Sequence, residues 1–198
     1  MTLILREARQ CDVSLLSELG VSTYTHHFKQ YWTHSEELDE FLNQEYSPQV
    51  IESSLADSSA GWYVVETSAP IGFVKVIWQC NIPGSPLQGT LLKKLYLSEG
   101  TTGKNYGQLI FGEVAEMAKE RGSNFLWLEI LKENTRARRF YERQGMTFIR
   151  DNFYNTATQN VTVHVLGMNL WILFLAIKKG LQQRRPSGHI PRKHTHHR

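Results

Sequence analysis

The stretch Ser98–Gly107, SEGTTGKNYG, has the residue types of a turn that binds an anion. Its three glycines, asparagine and two threonines can adopt left-handed backbone angles, and they leave the peptide groups uncovered by bulky side chains. Apolar residues at helical spacing follow, so the turn opens a helix. The first amides of a helix lack partners and carry partial positive charge, which suits a phosphate. The alternative is an ordinary glycine-rich connection.

Alternating and helical apolar patterns predict the elements that must position this turn. The predicted strands are Leu3–Ala8, Trp62–Glu66, Ile71–Gln79 and Leu91–Leu97, followed by NFLWLEIL, MTFIRDNFYN and NVTVHVLGMNL. The predicted helices are DVSLLSELGVSTYTHHF, HSEELDEFLNQEYS, SPQVIESSLADSS, QLIFGEVAEMAKER and NTRARRFYERQG. Asp12 or Ser14, Ser35 and Asn134 are the expected helix caps. The second and third strands form an antiparallel hairpin, because only a short turn separates them.

The composition is that of one globular domain of 198 residues, with 41% hydrophobic and 21% charged residues. Arginine and glutamate follow the first residues closely, so we expect no secretory signal and a cytoplasmic location. Two cysteines form neither a disulfide framework nor a metal cluster. We expect the domain to span residues 1–170. Residues 171–198 would then be a peripheral apolar segment, too short to cross a membrane, and a disordered basic tail that contains histidines.

The charge distribution argues against a nucleic-acid partner. Residues 178–198 contain seven Lys and Arg residues and no acid, which leaves 15 basic against 19 acidic residues in positions 1–177. Binding to a phosphate backbone needs a basic face, whereas the body of this chain has a net charge of −4.

Two segments together resemble the GNAT superfamily of acetyl-coenzyme A-dependent N-acetyltransferases. LYLSEGTTGKNYGQ is similar to the family's strand, spacer and pyrophosphate loop, and NTRARRFYERQGM contains its Asn-x-x-Ala-x-x-Phe-Tyr-x-x-x-Gly pattern in full. The loop departs from the family pattern at two of three places, where Thr102 replaces Arg or Gln and Asn105 replaces Gly. The likeness runs over most of Leu3–Leu170. The amino-terminal half resembles the bacterial branch that acetylates spermidine and spermine.

This resemblance implies an α/β fold of the α+β type, with a mixed, mostly antiparallel sheet of six or seven strands. Helices would flank the sheet, and strands four and five would splay apart. Acetyl-CoA is the implied cosubstrate, with its pyrophosphate on the turn and its pantetheine arm along strand four, and no metal is expected. Asn105 can still adopt the left-handed conformation. The implied cofactor-binding residues are Leu95, Tyr96, Leu97, Thr102, Gly103, Lys104, Asn105, Tyr106, Gly107, Gln108, Asn134, Ala137 and Phe140.

The resemblance also implies that Tyr141 donates a proton to the departing thiolate. A phenol with a reference pKa near ~10 can do so with little penalty, because the thiol has a pKa of roughly 8–10. The alternative is that Tyr141 only packs beside Phe140.

The general base is less defined by the sequence. Many relatives carry a glutamate on strand four just before LYL, where this chain has Lys93 and Lys94. Glu129, on the fifth strand, is the predicted substitute, because its neighbours face the other side of the sheet. His26 and His27 are rival bases, since a neutral imidazole titrates in the useful range, and a water chain is a further alternative.

The acceptor is predicted to be a small-molecule amine, with a polyamine as the specific candidate. An acidic cluster supports this prediction, although it would also form the solvated face of a helix: Glu36, Glu37, Asp39, Glu40 and Glu45. No GxxxxGK[ST] motif exists, and a strand hairpin precedes the turn, so a P-loop and a Rossmann domain are excluded. The competing function is a non-catalytic sensor that binds acetyl-CoA. Neither a nucleic acid nor a membrane is an expected partner, and a homodimer is compatible with the sequence.

Overall fold

The structure, a computed structural model, describes residues 2–101, 104–171 and 192–193. The described chain forms two compact units, of which the first contains residues 2–76, 94–110 and 192–193. The second contains residues 77–93 and 111–171. Among the described helices, none is both long enough and apolar enough to cross a membrane.

Strands and helices follow one another in the order that the sequence patterns predict. The strands are β1 (Ile4–Glu7), β2 (Ala60–Glu66), β3 (Pro70–Ile77), β4 (Gly89–Leu97), β5 (Phe125–Leu131), β6 (Thr147–Asn155), β7 (Asn160–Asn169) and the two-residue β8 (Arg192–Lys193). The α-helices are α1 (Val13–Phe28), α2 (Ser35–Tyr46), α3 (Pro48–Ala56), α4 (Tyr106–Glu120) and α5 (Thr135–Arg143). Short 3₁₀ turns at Gln10–Asp12 and Lys29–Tyr31 flank α1.

In the first unit, helices α1 to α3 pack on a sheet whose strand order is β3, β2, β1 and β8. Strand β1 runs antiparallel to β2, with Leu5 opposite Val65, and parallel to β8. The buried core combines helix and strand residues: Leu16, Tyr46, Ile51, Trp62, Val64 and Phe73. Gly20 allows α1 to approach α2, because a Cβ atom at that position would overlap the Tyr46 ring.

In the second unit, the strand order is β6, β7, β5 and β4. Strands β4 and β5 are parallel, but their ladder contains three residue pairs and ends at Leu91 opposite Trp127. Strand β7 pairs antiparallel with β5 and with β6, and the β6 pairing contains an irregularity between Phe148 and Arg150. This arrangement confirms the predicted mixed, mostly antiparallel sheet of seven main strands. The short ladder agrees with the expected parting of strands four and five.

Two helix caps differ from the sequence-based expectation. Helix α2 begins at Ser35 itself, with His34 in the cap position and no side-chain cap bond. Asp12 precedes α1, but its carboxylate accepts hydrogen bonds from the Arg6 guanidinium at 2.9 and 3.0 Å rather than from a helix amide. A local pattern could not reveal this bond, because it depends on how β1 and the following 3₁₀ turn meet. Ser47 does cap α3. The predicted boundary near residue 170 stays a prediction, whereas the two-residue strand β8 lies in the segment that the sequence predicts to be disordered, because its backbone pairs with β1.

Candidate active site

The predicted anion-binding turn lies in the first unit, between the end of β4 and the start of α4. Gly100 has a φ of +80°, and Asn105 has a φ of +59°. Asn105 is the one non-glycine residue with positive φ in the described part of the chain, and it adopts the left-handed conformation that is accessible to asparagine. Thr102 and Gly103 lie outside the described residues, so their predicted cofactor contacts stay predictions.

The first turn of α4 contains backbone amides that have no partner within the helix. The Leu109 amide donates to the Asn105 carbonyl at 3.2 Å, which makes Asn105 the residue that caps the helix. The amides of Tyr106, Gly107 and Gln108 precede this first helical bond, so by helix geometry they have no partner within α4. Together with the positive end of the helix dipole, they form a site that fits a phosphate.

Lys104 and the end of β4 also lie in the first unit, next to this turn. Lys104 is exposed and forms no ion pair with any described residue. Leu95, Tyr96 and Leu97, the predicted pantetheine edge, are all half-buried. The carbonyl of Leu97 accepts a hydrogen bond from Nε2 of His27 at 2.9 Å. His27 is therefore half-buried against β4.

The two rival histidines have different environments. His26 is exposed, and its Nδ1 lies 3.7 Å from Oε2 of Glu99, in the turn after β4. The two imidazole rings meet edge to face, with centroids 5.0 Å apart. His27 therefore contacts the backbone of β4, and His26 contacts a solvated carboxylate.

An aromatic cluster that sequence reasoning missed lies beside the end of β4. It consists of Tyr24, Phe28, Trp32, Phe41 and Tyr96, all of them half-buried. The Tyr24 hydroxyl accepts a hydrogen bond from Nε1 of Trp32 at 3.1 Å. Burial, together with nearby Glu45, raises the pKa of Tyr24 to about 12, so the phenol is neutral at physiological pH. The i, i+4 spacing of Tyr24 and Phe28 was the available sequence signal.

Lys94, one of the two lysines before the LYL edge of β4, is buried beside Glu45 and Tyr46. The Lys94 side chain is only 5% exposed, and its Nζ lies 3.6 Å from Oε2 of Glu45. The same Nζ lies 4.9 Å from the centre of the Tyr46 ring. Of the predicted acidic cluster, Glu36, Asp39 and Glu40 are exposed, and Glu37 and Glu45 are half-buried. The cluster is therefore only partly a solvated face.

The second unit contains the predicted Phe-Tyr helix. Asn134 caps α5, because its side-chain oxygen accepts the amide of Ala137 at 3.1 Å. The Tyr141 ring packs edge to face on Phe140, with centroids 5.0 Å apart, and tilted on Phe111 at 5.8 Å. Burial raises the pKa of Tyr141 above its ordinary value. The Tyr141 hydroxyl has no hydrogen-bond partner among the described residues. Its phenol is therefore available to a ligand as a protonated donor.

Glu129, the predicted base, is half-buried on β5 and opposite Val165 of β7. Its Oε1 accepts a hydrogen bond from the hydroxyl of Tyr154 at 2.9 Å. Burial and this bond raise the pKa of Tyr154 to about 12. Sequence reasoning missed Tyr154, because the contact depends on the register of β6, β7 and β5. Among the described side chains, no group of three histidines, cysteines or carboxylates could hold a metal ion.

Comparison with known proteins identifies the family. The model of the Acetyltransferase (GNAT) family matches residues 21–146, which is more than half of the chain. A streptothricin acetyltransferase of Streptomyces lavendulae is 30% identical over 84 residues, which cover 42% of this chain and 44% of that relative. The match thus spans less than half of the curated relative's length.

Solved structures share the fold at low sequence identity. The PaiA N-acetyltransferase of Thermoplasma acidophilum, solved in complex with coenzyme A, has a TM-score of 0.66 at 17% identity. The superposition covers 85% of this chain and 99% of that one. A spermidine/spermine N-acetyltransferase of Vibrio cholerae has a TM-score of 0.61 at 17% identity, with 88% and 96% coverage.

Proposed function

The chain belongs to the GNAT acetyltransferase family, which confirms the predicted family and, at family level, the predicted enzyme class. From this premise, we propose that it transfers the acetyl group of acetyl-CoA to a primary amine of a small polycationic molecule, such as spermidine or spermine. The observation that carries the proposal is the turn into α4, where Asn105 at positive φ precedes amides that have no helical partner. This geometry fits a diphosphate without depending on the side chains that differ from the family pattern.

The residue roles in this proposal follow from chemistry and from the family resemblance. The amides of Tyr106, Gly107 and Gln108 bind the pyrophosphate, and the edge of β4 binds the pantetheine arm. Tyr141 donates a proton to the departing thiolate, a role that its neutral phenol without a described partner can perform.

A polycationic acceptor is supported by charge and by aromatic surface. The body of the chain has a net charge of −4, and half-buried aromatic rings lie beside β4. An ammonium held over such a ring gains about 0.5–2 kcal/mol. The relatives named above also include enzymes that act on streptothricin and on spermidine or spermine.

The test is an assay of thiol release from acetyl-CoA with a panel of amines. We expect turnover with spermidine and spermine, and a kcat/KM about 2- to 30-fold higher for a diamine than for a monoamine of equal length, from the energy of a second ammonium on the aromatic cluster. Equal values for the two amines would contradict the polycationic acceptor. Streptothricin and a zwitterionic amino acid extend the panel to other acceptor classes.

The second candidate function is a sensor that binds acetyl-CoA without turnover. The buried Lys94 favours it, because this residue stands where many relatives have a catalytic carboxylate. Calorimetry separates the two functions: binding of acetyl-CoA with no thiol release for any amine would support the sensor. The cytoplasmic location and the homodimer stay predictions.

A further inference from the structure

We propose that His27 is the general base of the acetyl transfer and that it accepts a proton from the acceptor's ammonium at Nδ1 while the Leu97 carbonyl holds Nε2–H. This inference rests on the proposed function and adds a catalytic residue to it. It also replaces Glu129, the base that the sequence predicts.

The hydrogen bond to Leu97 fixes the tautomer of His27. Nε2 lies 2.9 Å from the carbonyl oxygen, which can only accept a hydrogen bond, so Nε2 carries the proton. The neutral imidazole then presents its lone pair at Nδ1. The same division of roles, with one nitrogen anchored and the other free to take a proton, makes imidazole an effective base in other enzymes.

The surroundings of His27 fit an acceptor site. His27 is half-buried at the carboxyl end of α1, and the next residue, Phe28, packs on Tyr96 of β4 with centroids 5.4 Å apart. The titratable groups nearby are His26 on its own helix and Glu99 in the turn after β4, and these two contact each other. An amine bound on the aromatic cluster would therefore lie next to one imidazole anchored on the backbone.

Glu129 is less suited to the task in this structure. Its carboxylate already accepts the Tyr154 hydroxyl at 2.9 Å. Lys94, in place of the strand-four glutamate, is itself paired with Glu45. Of the two rival histidines, His27 is half-buried and anchored on the backbone of β4, whereas His26 is exposed and lies beside the Glu99 carboxylate.

The proton balance of the step is simple. His27 accepts one proton from R–NH₃⁺, and the resulting amine nitrogen forms a bond to the thioester carbonyl carbon. The C–S bond breaks, and the sulfur takes a proton from Tyr141. Tyr141 regains a proton from the acylated nitrogen, and His27 releases its proton to water. The products are the N-acetyl amine, coenzyme A and one proton.

The test compares two neighbouring substitutions, His27→Gln and His26→Gln. Glutamine at 27 can still donate to the Leu97 carbonyl but cannot accept the proton, so it separates catalysis from the anchoring of α1 on β4. We expect His27→Gln to lower kcat/KM for spermidine about 100-fold at pH 7. We expect His26→Gln to stay within twofold of the wild type.

The pH profile distinguishes a base from a structural residue. Without the base, the variant depends on amine that is already deprotonated, and this fraction rises about tenfold per pH unit below an alkylammonium pKa of about 10.4. The ratio of wild-type to His27→Gln activity should thus fall at least tenfold between pH 7 and pH 9. A constant ratio would mean that His27 has only a structural role, and the proposal would be wrong.

A measurement that does not depend on activity completes the test. In the ¹⁵N spectrum of the free protein above pH 8, we expect His27 to carry its proton on Nε2, with Nδ1 unprotonated. The opposite tautomer would overturn the inference even if the enzyme is active. A wild type that releases no thiol with any amine overturns the proposed function and the base with it, whereas an active wild type whose variant retains its pH profile overturns the base alone.

Discussion

The turn before α4 and the helix α5 serve the proposed reaction by different means. The turn offers backbone amides, arranged by the positive φ of Asn105 and by the first turn of a helix. Helix α5 offers the side chain of Tyr141, whose ring is fixed by Phe140 and Phe111 and whose pKa is raised by burial. One region acts through the main chain, and the other acts through one functional group.

This difference explains why the two regions tolerate substitution differently. Backbone amides do not depend on residue identity, so the turn keeps its geometry although asparagine stands at a glycine position. A phenol has no equivalent among the other side chains, so α5 retains the complete Asn-Ala-Phe-Tyr-Gly pattern. We therefore expect charge and shape to matter at the turn, and chemical identity to matter at α5.

The largest effect should come from Gly107→Asp. This change places a carboxylate among the amides proposed to bind the diphosphate, where like charges about 4 Å apart repel by roughly 4 kcal/mol at an effective dielectric constant of 20. An acidic residue in the first turn of a helix does not weaken the helix itself. We expect a 100- to 1000-fold weaker affinity for acetyl-CoA by calorimetry, with the circular dichroism spectrum of the wild type.

Gly112→Asp is the matched control for this change. Gly112 lies on the same helix and is exposed, and a Cβ atom added there would meet no other atom within 4 Å. Its aspartate should leave the affinity for acetyl-CoA within threefold of the wild type. Equal affinities for the two variants would show that the turn does not bind the diphosphate.

Tyr141→Phe should produce the next largest effect, on kcat rather than on binding. Phenylalanine keeps the ring contacts with Phe140 and Phe111 but removes the proton. We expect kcat to fall about 100-fold, with the Kd for acetyl-CoA within twofold of the wild type. Loss of less than threefold in kcat would mean that Tyr141 only packs in the core.

The raised pKa of Tyr141 gives this prediction a pH dependence. A phenol whose pKa lies above 10 stays protonated through the alkaline range, so the proton donor is present up to at least pH 10. We expect that ionisation of Tyr141 does not lower the wild-type kcat between pH 7 and pH 10. A decline in kcat near pH 8 that Tyr141→Phe removes would contradict this assignment.

The sequence could predict features of the main chain that depend on local patterns, but it could not predict side-chain contacts between residues far apart in the chain. The order of strands and helices and the left-handed Asn105 depend on local patterns, and the structure confirms them. The bond between His27 and Leu97 joins residues 70 positions apart, and no local pattern indicates it. The same is true of the Tyr154 hydroxyl on Glu129, which requires the register of three strands.

Asn134 tests whether one residue of α5 serves both stability and binding. Its side chain caps the helix at Ala137, so Asn134→Ala should lower the free energy of unfolding by about 1 kcal/mol. Asn134→Ser retains a cap oxygen and should recover most of that loss in urea denaturation. If Asn134 also contacts the cofactor, the serine variant should still bind acetyl-CoA about fivefold more weakly, since a lost hydrogen bond costs roughly 1 kcal/mol. Full recovery of the affinity for acetyl-CoA in Asn134→Ser would show that Asn134 only caps the helix.

Lys104→Gln should have the smallest effect, and it tests whether the turn relies on side-chain charge at all. Lys104 is exposed and forms no ion pair with the described residues, so a contact with phosphate would be screened by solvent and contribute roughly 0.2–1 kcal/mol. We expect affinity for acetyl-CoA to fall by about two- to fourfold at 0.05 M salt and the difference to vanish at 0.5 M salt, because the Debye length shortens to a few ångströms. A loss of more than 30-fold that persists at high salt would show that a directed lysine contact, and not the amides of α4, holds the phosphate.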